Sequence, residues 1–158
     1  MKLSFSIIIP VYNRPNEIDE LLGSLTKQKF SDQFEVLLIE DGSTEKSDHI
    51  VKKYQDQLHI RYFLKENTGA GASRNFGMIN ATGSYFIILD SDVIVPNHYL
   101  AEVKKALQNN FTDAFGGPDA AHQSFTNLQK AINYSMTSLI TTGGIRGNKQ
   151  AVVKFQPR

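Results

Sequence analysis

The run Phe5-Ser6-Ile7-Ile8-Ile9-Pro10-Val11 constrains the fold more than any other stretch of the chain. It is too short for a helix and lacks the apolar–polar alternation of a strand with one wet face. A strand buried on both faces belongs inside a parallel sheet covered by helices. Val36-Leu37-Leu38-Ile39, residues 60–64 and Tyr85-Phe86-Ile87-Ile88-Leu89 read as three further strands, the second and fourth of the set buried. Helical signals lie between them. Ile18, Leu21, Leu22 and Leu25 recur at i, i+3, i+4 and i+7, with Asn13 as the cap and Pro15 in the first turn. Helices are expected near residues 45–57 and 70–81, the latter stopped by Gly83 at its C′ position. Pro96 opens another, with Leu100, Val103, Lys104 and Leu107 on successive turns. A short strand at Ala114-Phe115 and a helix over residues 125–139 follow. Strand and helix alternate, so the fold class is α/β: a mostly parallel, doubly wound sheet with helices on both faces.

The 158 residues suffice for one domain with a real core, and 41% apolar with 21% charged residues is an ordinary globular balance. No cysteine is present, which removes disulfides and thiolate metal sites. No apolar stretch approaches the ~20 residues of a membrane span. Pro10, Tyr12, Asn13 and Arg14 interrupt the first apolar run too early for a secretory leader. The expected location is cytoplasmic, with association at the inner face of a membrane compatible with it. The net charge of +1 hides a split. Residues 1–119 hold all 16 acidic residues against 12 basic ones, and residues 120–158 carry only Lys130, Arg146, Lys149, Lys154 and Arg158. Such a basic tail fits either a solvated end or a contact with phosphate or an acidic partner. The division expected is one domain over residues 1–119, then a helix and basic tail over residues 120–158.

In open parallel sheets, functional groups collect outside the carboxyl ends of the strands. Asn13, Asp41, Asn67 and the pair Asp90/Asp92 each stand just past an expected strand end. Asp90-Ser91-Asp92 is the sharpest of these. Residues two apart in an extended chain share a side, so both carboxylates can face one ion. All-oxygen ligands suit Mg2+ or Mn2+, with phosphates and water completing the shell. The competing reading is a turn held by local backbone bonds. Asn67-Thr68-Gly69-Ala70-Gly71-Ala72-Ser73-Arg74-Asn75 places small residues at a strand-to-helix junction, where helix N–H groups can meet a phosphate and Arg74 adds a fork of donors. Gly69 and Gly71 imitate a dinucleotide fingerprint, but Arg74 occupies its third glycine position and the motif follows the third strand. Pro10-Val11-Tyr12-Asn13-Arg14 on one side and Glu40-Asp41-Gly42-Ser43 on another can be read as two walls for a planar base, with helix capping as the plainer role for Asn13 and Asp41. His49, His59, His98 and His122 show no ligand spacing, and no G-x-S-x-G elbow supports a hydrolase.

Taken in order and at this spacing, Ser6-Ile7-Ile8-Ile9-Pro10-Val11-Tyr12-Asn13, Glu40-Asp41-Gly42-Ser43, Asn67-Thr68-Gly69 through Asn75, and the segment from Gly83 to Asp92 resemble the family 2 glycosyltransferases of GT-A fold. The resemblance implies a nucleotide-sugar donor, most often a UDP-sugar, and a glycan or lipid-linked acceptor, with no nucleic acid partner. It implies Asp41 at the base, Pro10 and Tyr12 lining its pocket, and Arg74 near base and phosphates. Asp90 would meet ribose or metal, Asp92 would hold the metal, and Ser91 would lie beside the nucleotide. The reaction implied is an inverting transfer of one sugar to an acceptor hydroxyl, which needs a general base. Relatives carry that base well downstream of the metal site, but no carboxylate follows Asp119. The expectation is therefore a chain that stops before its acceptor half, with Asp119 and His122 as weak substitutes for the base. A non-catalytic nucleotide-binding module and a nucleotidyltransferase are the alternatives. The latter usually has a basic glycine-rich loop near its first strand, and Tyr12-Asn13-Arg14-Pro15 is not one.

Overall fold

The computed structural model describes residues 3–114, 116 and 126–137. Four strands form one sheet among them: β1 (Phe5–Val11), β2 (Phe34–Asp41), β3 (His59–Lys65) and β4 (Tyr85–Ile88). All neighbours pair in parallel, in the order β3-β2-β1-β4. The helices between and after them are α1 (Pro15–Leu25), α2 (Asp48–Tyr54), α3 (Ala70–Asn80) and α4 (Tyr99–Asn109). These elements make up a compact unit over Met1–Phe111. In the unit from Thr112 onward the described element is α5 (Asn127–Thr137), on which Leu128 and Ile132, four residues apart, are exposed. Of the expected strand at Ala114-Phe115, Ala114 is in no described strand and Phe115 is outside the described residues. Among the described residues no helix is long and apolar enough to cross a membrane.

Every residue of β1 is buried, as its unbroken apolar run predicts, because helices cover both of its faces. Ile7, Ile9, Val36 and Leu38 pack with Ile18, Leu21, Leu22 and Leu25 of α1, Ile50 of α2 and Leu100, Val103 and Leu107 of α4. On the opposite face Ile8, Leu37 and Ile39 pack against Phe76 and Met78 of α3. The expectation for β4 needs correction. Among the described residues it is an edge strand, and Phe86 and Ile88 on the α3 side are 39% and 45% exposed, while Ile87 is buried. An apolar run therefore marked a strand with one covered face. Gly83 does not stop α3 either. The helix ends when Ala81 turns extended, and the Gly83 N–H instead donates to Ser6 Oγ at 2.8 Å. Nor does Pro96 start α4, since its carbonyl accepts the Tyr99 N–H at 2.9 Å and His98 is the cap residue.

At the amino end of the sheet, buried Glu35 accepts bonds from Ser6 Oγ at 2.6 Å, Thr82 N–H at 2.6 Å and Arg61 Nη1 at 3.1 Å. Burial alone would raise its pKa, but these donors outweigh it and lower it to about 2 from an ordinary 4.5. A depressed carboxyl stabilises the fold above its unfolded pKa and loses that contribution as the pH falls toward the folded value. Glu35 should thus contribute about 3 kcal/mol at neutral pH, lost between roughly pH 4.5 and 2. Glu35→Gln should cost about 2 kcal/mol at pH 7 and flatten the acid limb of a urea-stability profile in that window. An unchanged acid limb would contradict this role.

Candidate functional site

The chain steps from β1 outward through β2 to β3 and then crosses back to β4 on the other side of β1. The strand order reverses between β1 and β4, and connections diverging there open a crevice at the carboxyl ends. A pocket of about 300 Å³ occupies that position. Pro10, Val11, Tyr12 and Arg14 line it from the end of β1, Asp41 from β2, Ala70 and Arg74 from α3, and Asp90, Ser91 and Asp92 from the turn after β4. Of the residues singled out from sequence, Pro10, Tyr12, Asp41, Arg74, Asp90, Ser91 and Asp92 are gathered here. Tyr12 is 51% exposed, so its ring is a free apolar surface at the pocket.

Asp90 and Asp92 are not buried at the strand end. Their side chains are 65% and 55% exposed, and each faces its own arginine. Arg74 Nη2 stands 2.7 Å from Asp90 Oδ1, and Arg14 Nη1 stands 3.3 Å from Asp92 Oδ2. Exposed pairs of this kind contribute about 0–1 kcal/mol, so both arginines and both carboxylates can exchange partners at little cost. Among the described residues no group of three or more His, Asp or Glu side chains is placed to hold a metal on protein ligands alone. Two carboxylates with open outer faces fit a hard divalent cation only if a ligand's phosphates and water supply the remaining oxygens.

Asp41 is buried and faces the loop between β3 and α3. It forms an ion pair with Lys65 and accepts the Thr68 N–H at 3.0 Å and the Gly69 N–H at 2.8 Å. Burial would raise its pKa, but Lys65 and the two amides hold it below the ordinary carboxylate range. Gly42, the next residue, has φ +72, and a Cβ there would lie 2.7 Å from the Asn67 nitrogen. Only glycine permits this backbone and this approach. Asn67, expected from sequence as a strand-end polar group, thus packs on the Gly42 turn.

Asn13 does not cap α1. Arg14 holds the cap position without a side-chain bond, because Asn13 adopts the left-handed φ of 53° and turns its amide toward the next loop. Asn13 Oδ1 accepts the Thr44 N–H at 2.8 Å, the Thr44 hydroxyl at 3.0 Å and the Glu45 N–H at 3.0 Å. Gly69 is tied to Asp41, and the space where a Gly71 Cβ would stand is open. Val11, Arg14 and Ala70 lay inside the segments singled out from sequence but were given no role of their own there, and the structure puts all three on the pocket wall. Asp119 and His122 lie outside the described residues.

The chain matches the family model described as Glycosyl transferase family 2 over residues 6–155. It is 33% identical over 144 residues to an uncharacterized glycosyltransferase of Rickettsia bellii, covering 90% of this chain and 19% of that protein. It is 34% identical over 114 residues to the poly(ribitol-phosphate) beta-N-acetylglucosaminyltransferase TarS of Staphylococcus aureus, covering 70% of this chain and 20% of that protein. Thus it spans about one fifth of the length of these relatives. The crystal structure of S. aureus TarS 1-349 in complex with UDP superposes with a TM-score of 0.66 at 29% identity, covering 77% of this chain and 40% of that one. The mannosyltransferase PcManGT of Pyrobaculum calidifontis, in complex with GDP-Man and Mn2+, gives 0.62 at 26% identity, covering 68% and 33%.

Proposed function

Because the chain belongs to glycosyl transferase family 2, we propose that its pocket holds the nucleotide diphosphate of a sugar-nucleotide donor, UDP-sugars foremost. The observation that carries this reading is the pairing of Arg14 with Asp92 and Arg74 with Asp90 beside the free face of Tyr12. The described pocket brings together the three chemistries such a ligand needs: a planar surface, cationic forks and oxygen ligands for a cation. A sugar nucleotide with one divalent cation adds no net charge at its diphosphate, and the pocket's two arginines and two exposed aspartates also balance.

In this reading Pro10, Val11 and Tyr12 bind the base, with Asp41 closing its edge. Arg14 and Arg74 leave their carboxylates and donate to diphosphate oxygens, for which a guanidinium fork is suited. Asp90 and Asp92 would then be the residues to hold Mg2+ or Mn2+, with Asp92 the direct ligand. The bound ion would act as a Lewis acid on the departing diphosphate. The Ala70 end of α3 faces the same space and favours an anion. The acceptor hydroxyl needs a base for inverting transfer, and residues 120–158 contain no Asp or Glu. We assign donor binding to the pocket residues.

Calorimetric titration with UDP, GDP, dTDP and NAD, each with and without Mn2+, tests the proposal. UDP should bind in a metal-dependent manner. Removing even an outer partner of a metal ligand costs roughly 10–100-fold in metal affinity, and Asp92→Asn should cost at least that in metal-dependent UDP binding. Tight NAD binding, or UDP binding indifferent to both metal and Asp92, would overturn the reading.

A further inference from the structure

Beyond the pocket lining, we propose that Glu40 is a positioning residue: through Ser43 and Asn13 it holds the Tyr12 wall against which a base is gripped. The inference rests on the donor-site reading above. Three acids on β2 are buried, Glu35, Glu40 and Asp41. Glu35 has Arg61 and Asp41 has Lys65, but Glu40 forms no ion pair among the described residues. It is also fully buried, at 0% exposure. A carboxyl group withdrawn from water without a cation is costly, and hydrogen bonds must compensate it.

The compensating bonds lead to the pocket. Glu40 Oε2 accepts the Ser47 N–H at 2.8 Å and the Tyr62 hydroxyl at 3.3 Å, while Oε1 accepts the Ser43 hydroxyl. With its proton committed to Glu40, Ser43 Oγ can only accept from its other neighbour. It takes the Asn13 N–H at 2.8 Å. Asn13 is the one non-glycine with positive φ among the described residues, a left-handed conformation that asparagine adopts more readily than most residues but that its surroundings must still hold. Here they do so from both ends, since Ser43 holds its N–H and Thr44 and Glu45 hold its Oδ1. Asn13 stands between Tyr12 and Arg14, and both line the pocket. A buried acid on β2 thereby fixes the backbone that carries the ring and one guanidinium. Networks of this type rigidify when every member is satisfied.

The alternative is that Glu40 merely stabilises the turn after β2. UDP titration of the whole chain with Mn2+ separates the two. Glu40→Gln keeps the shape but presents an NH2 group to donors. Misplacement of a binding wall by a fraction of an ångström should weaken UDP roughly tenfold. Ser43→Ala, a milder change that keeps the turn folded, should act in the same direction. Glu35→Gln, a buried acid at the far end of the same strand, should lower stability and leave UDP affinity unchanged. In a Tyr12→Ala background, Glu40→Gln should cost less than it does in the wild type, because the ring it positions is gone and only the Arg14 side of the wall remains. The inference is overturned if Ser43→Ala and folded Glu40→Gln bind UDP like the wild type. It also falls if Glu35→Gln weakens binding as much as Glu40→Gln, or if Glu40→Gln and Tyr12→Ala act additively. If the wild-type chain binds no UDP, the donor-site reading itself is wrong, and this inference falls with it.

Discussion

Asp41→Ala should lose about 3–5 kcal/mol of folding stability and all measurable binding of nucleotide diphosphates. The stability loss follows from what the substitution leaves behind. Lys65 has only 17% of its side chain exposed, and it loses its sole ion-pair partner among the described residues. Removing one member of a buried pair costs about 3–5 kcal/mol because the other charge remains uncompensated. The Thr68 and Gly69 amides lose their acceptor as well. The binding loss follows from the same bonds. Thr68 and Gly69 lead directly into Ala70, the first residue of α3, and Ala70 and Arg74 line the pocket. An untethered loop lets that end of the helix drift away from the acidic turn. Asp41→Asn retains one acceptor and should fall between wild type and alanine in both urea midpoint and UDP affinity. Because Asp41 is held below the ordinary carboxylate range, its contribution is present above the unfolded pKa and fades as the pH falls further. An alanine variant with wild-type stability, or one that is destabilised yet binds UDP normally, would refute this account.

The sequence made the middle of the sheet legible because burial on both faces removes alternation, and β1 and β2 are covered by α1, α2, α4 and α3 together. It misled at β4, the edge strand among the described residues, because a strand with one face partly exposed can carry the same residues, as Phe86 and Ile88 do. The strand ends were legible for a related reason. Polar groups directly after a buried run have few structural uses, and Pro10, Tyr12, Asp41, Asp90 and Asp92 do share one pocket. What could not be read was pairing. Nothing local couples Arg14 to Asp92 or Arg74 to Asp90; strand order does. Asn13 looked like a cap because its type is right, yet its oxygen bonds a loop 31 residues away. Glu40 offered only its adjacency to Asp41, and the face it takes follows from register.

Gly77 shows the same limit in α3 and predicts the second large effect. A dinucleotide fingerprint would place its close-packing glycine where Arg74 stands, and here the close approach occurs three residues later. A Cβ on Gly77 would lie 2.4 Å from Ile8 Cγ2 and 3.1 Å from Ile39 Cδ1. Ile8 and Ile39 are fully buried, and Cγ2 is fixed to a β-branched carbon, so the neighbour cannot yield cheaply. Glycine inside a helix is worse than alanine by about 1 kcal/mol in the absence of packing, so its presence midway along α3 reflects the sheet beneath it. Gly77→Ala should therefore destabilise despite better propensity, by about 1–3 kcal/mol, and Gly77→Val by more. The helix must lift from the sheet, and it carries Ala70 and Arg74 with it, so UDP affinity should fall alongside the urea midpoint. Truncating the partner tests the cause. Ile8→Ala removes Cγ2 and leaves a cavity that alone costs about 2–5 kcal/mol. The alanine methyl at position 77 should partly fill that space, so the double variant should be more stable than the sum of the single losses predicts. Strict additivity, or a Gly77→Val variant with the wild-type midpoint, would show that α3 does not rest on Ile8 as closely as these distances require.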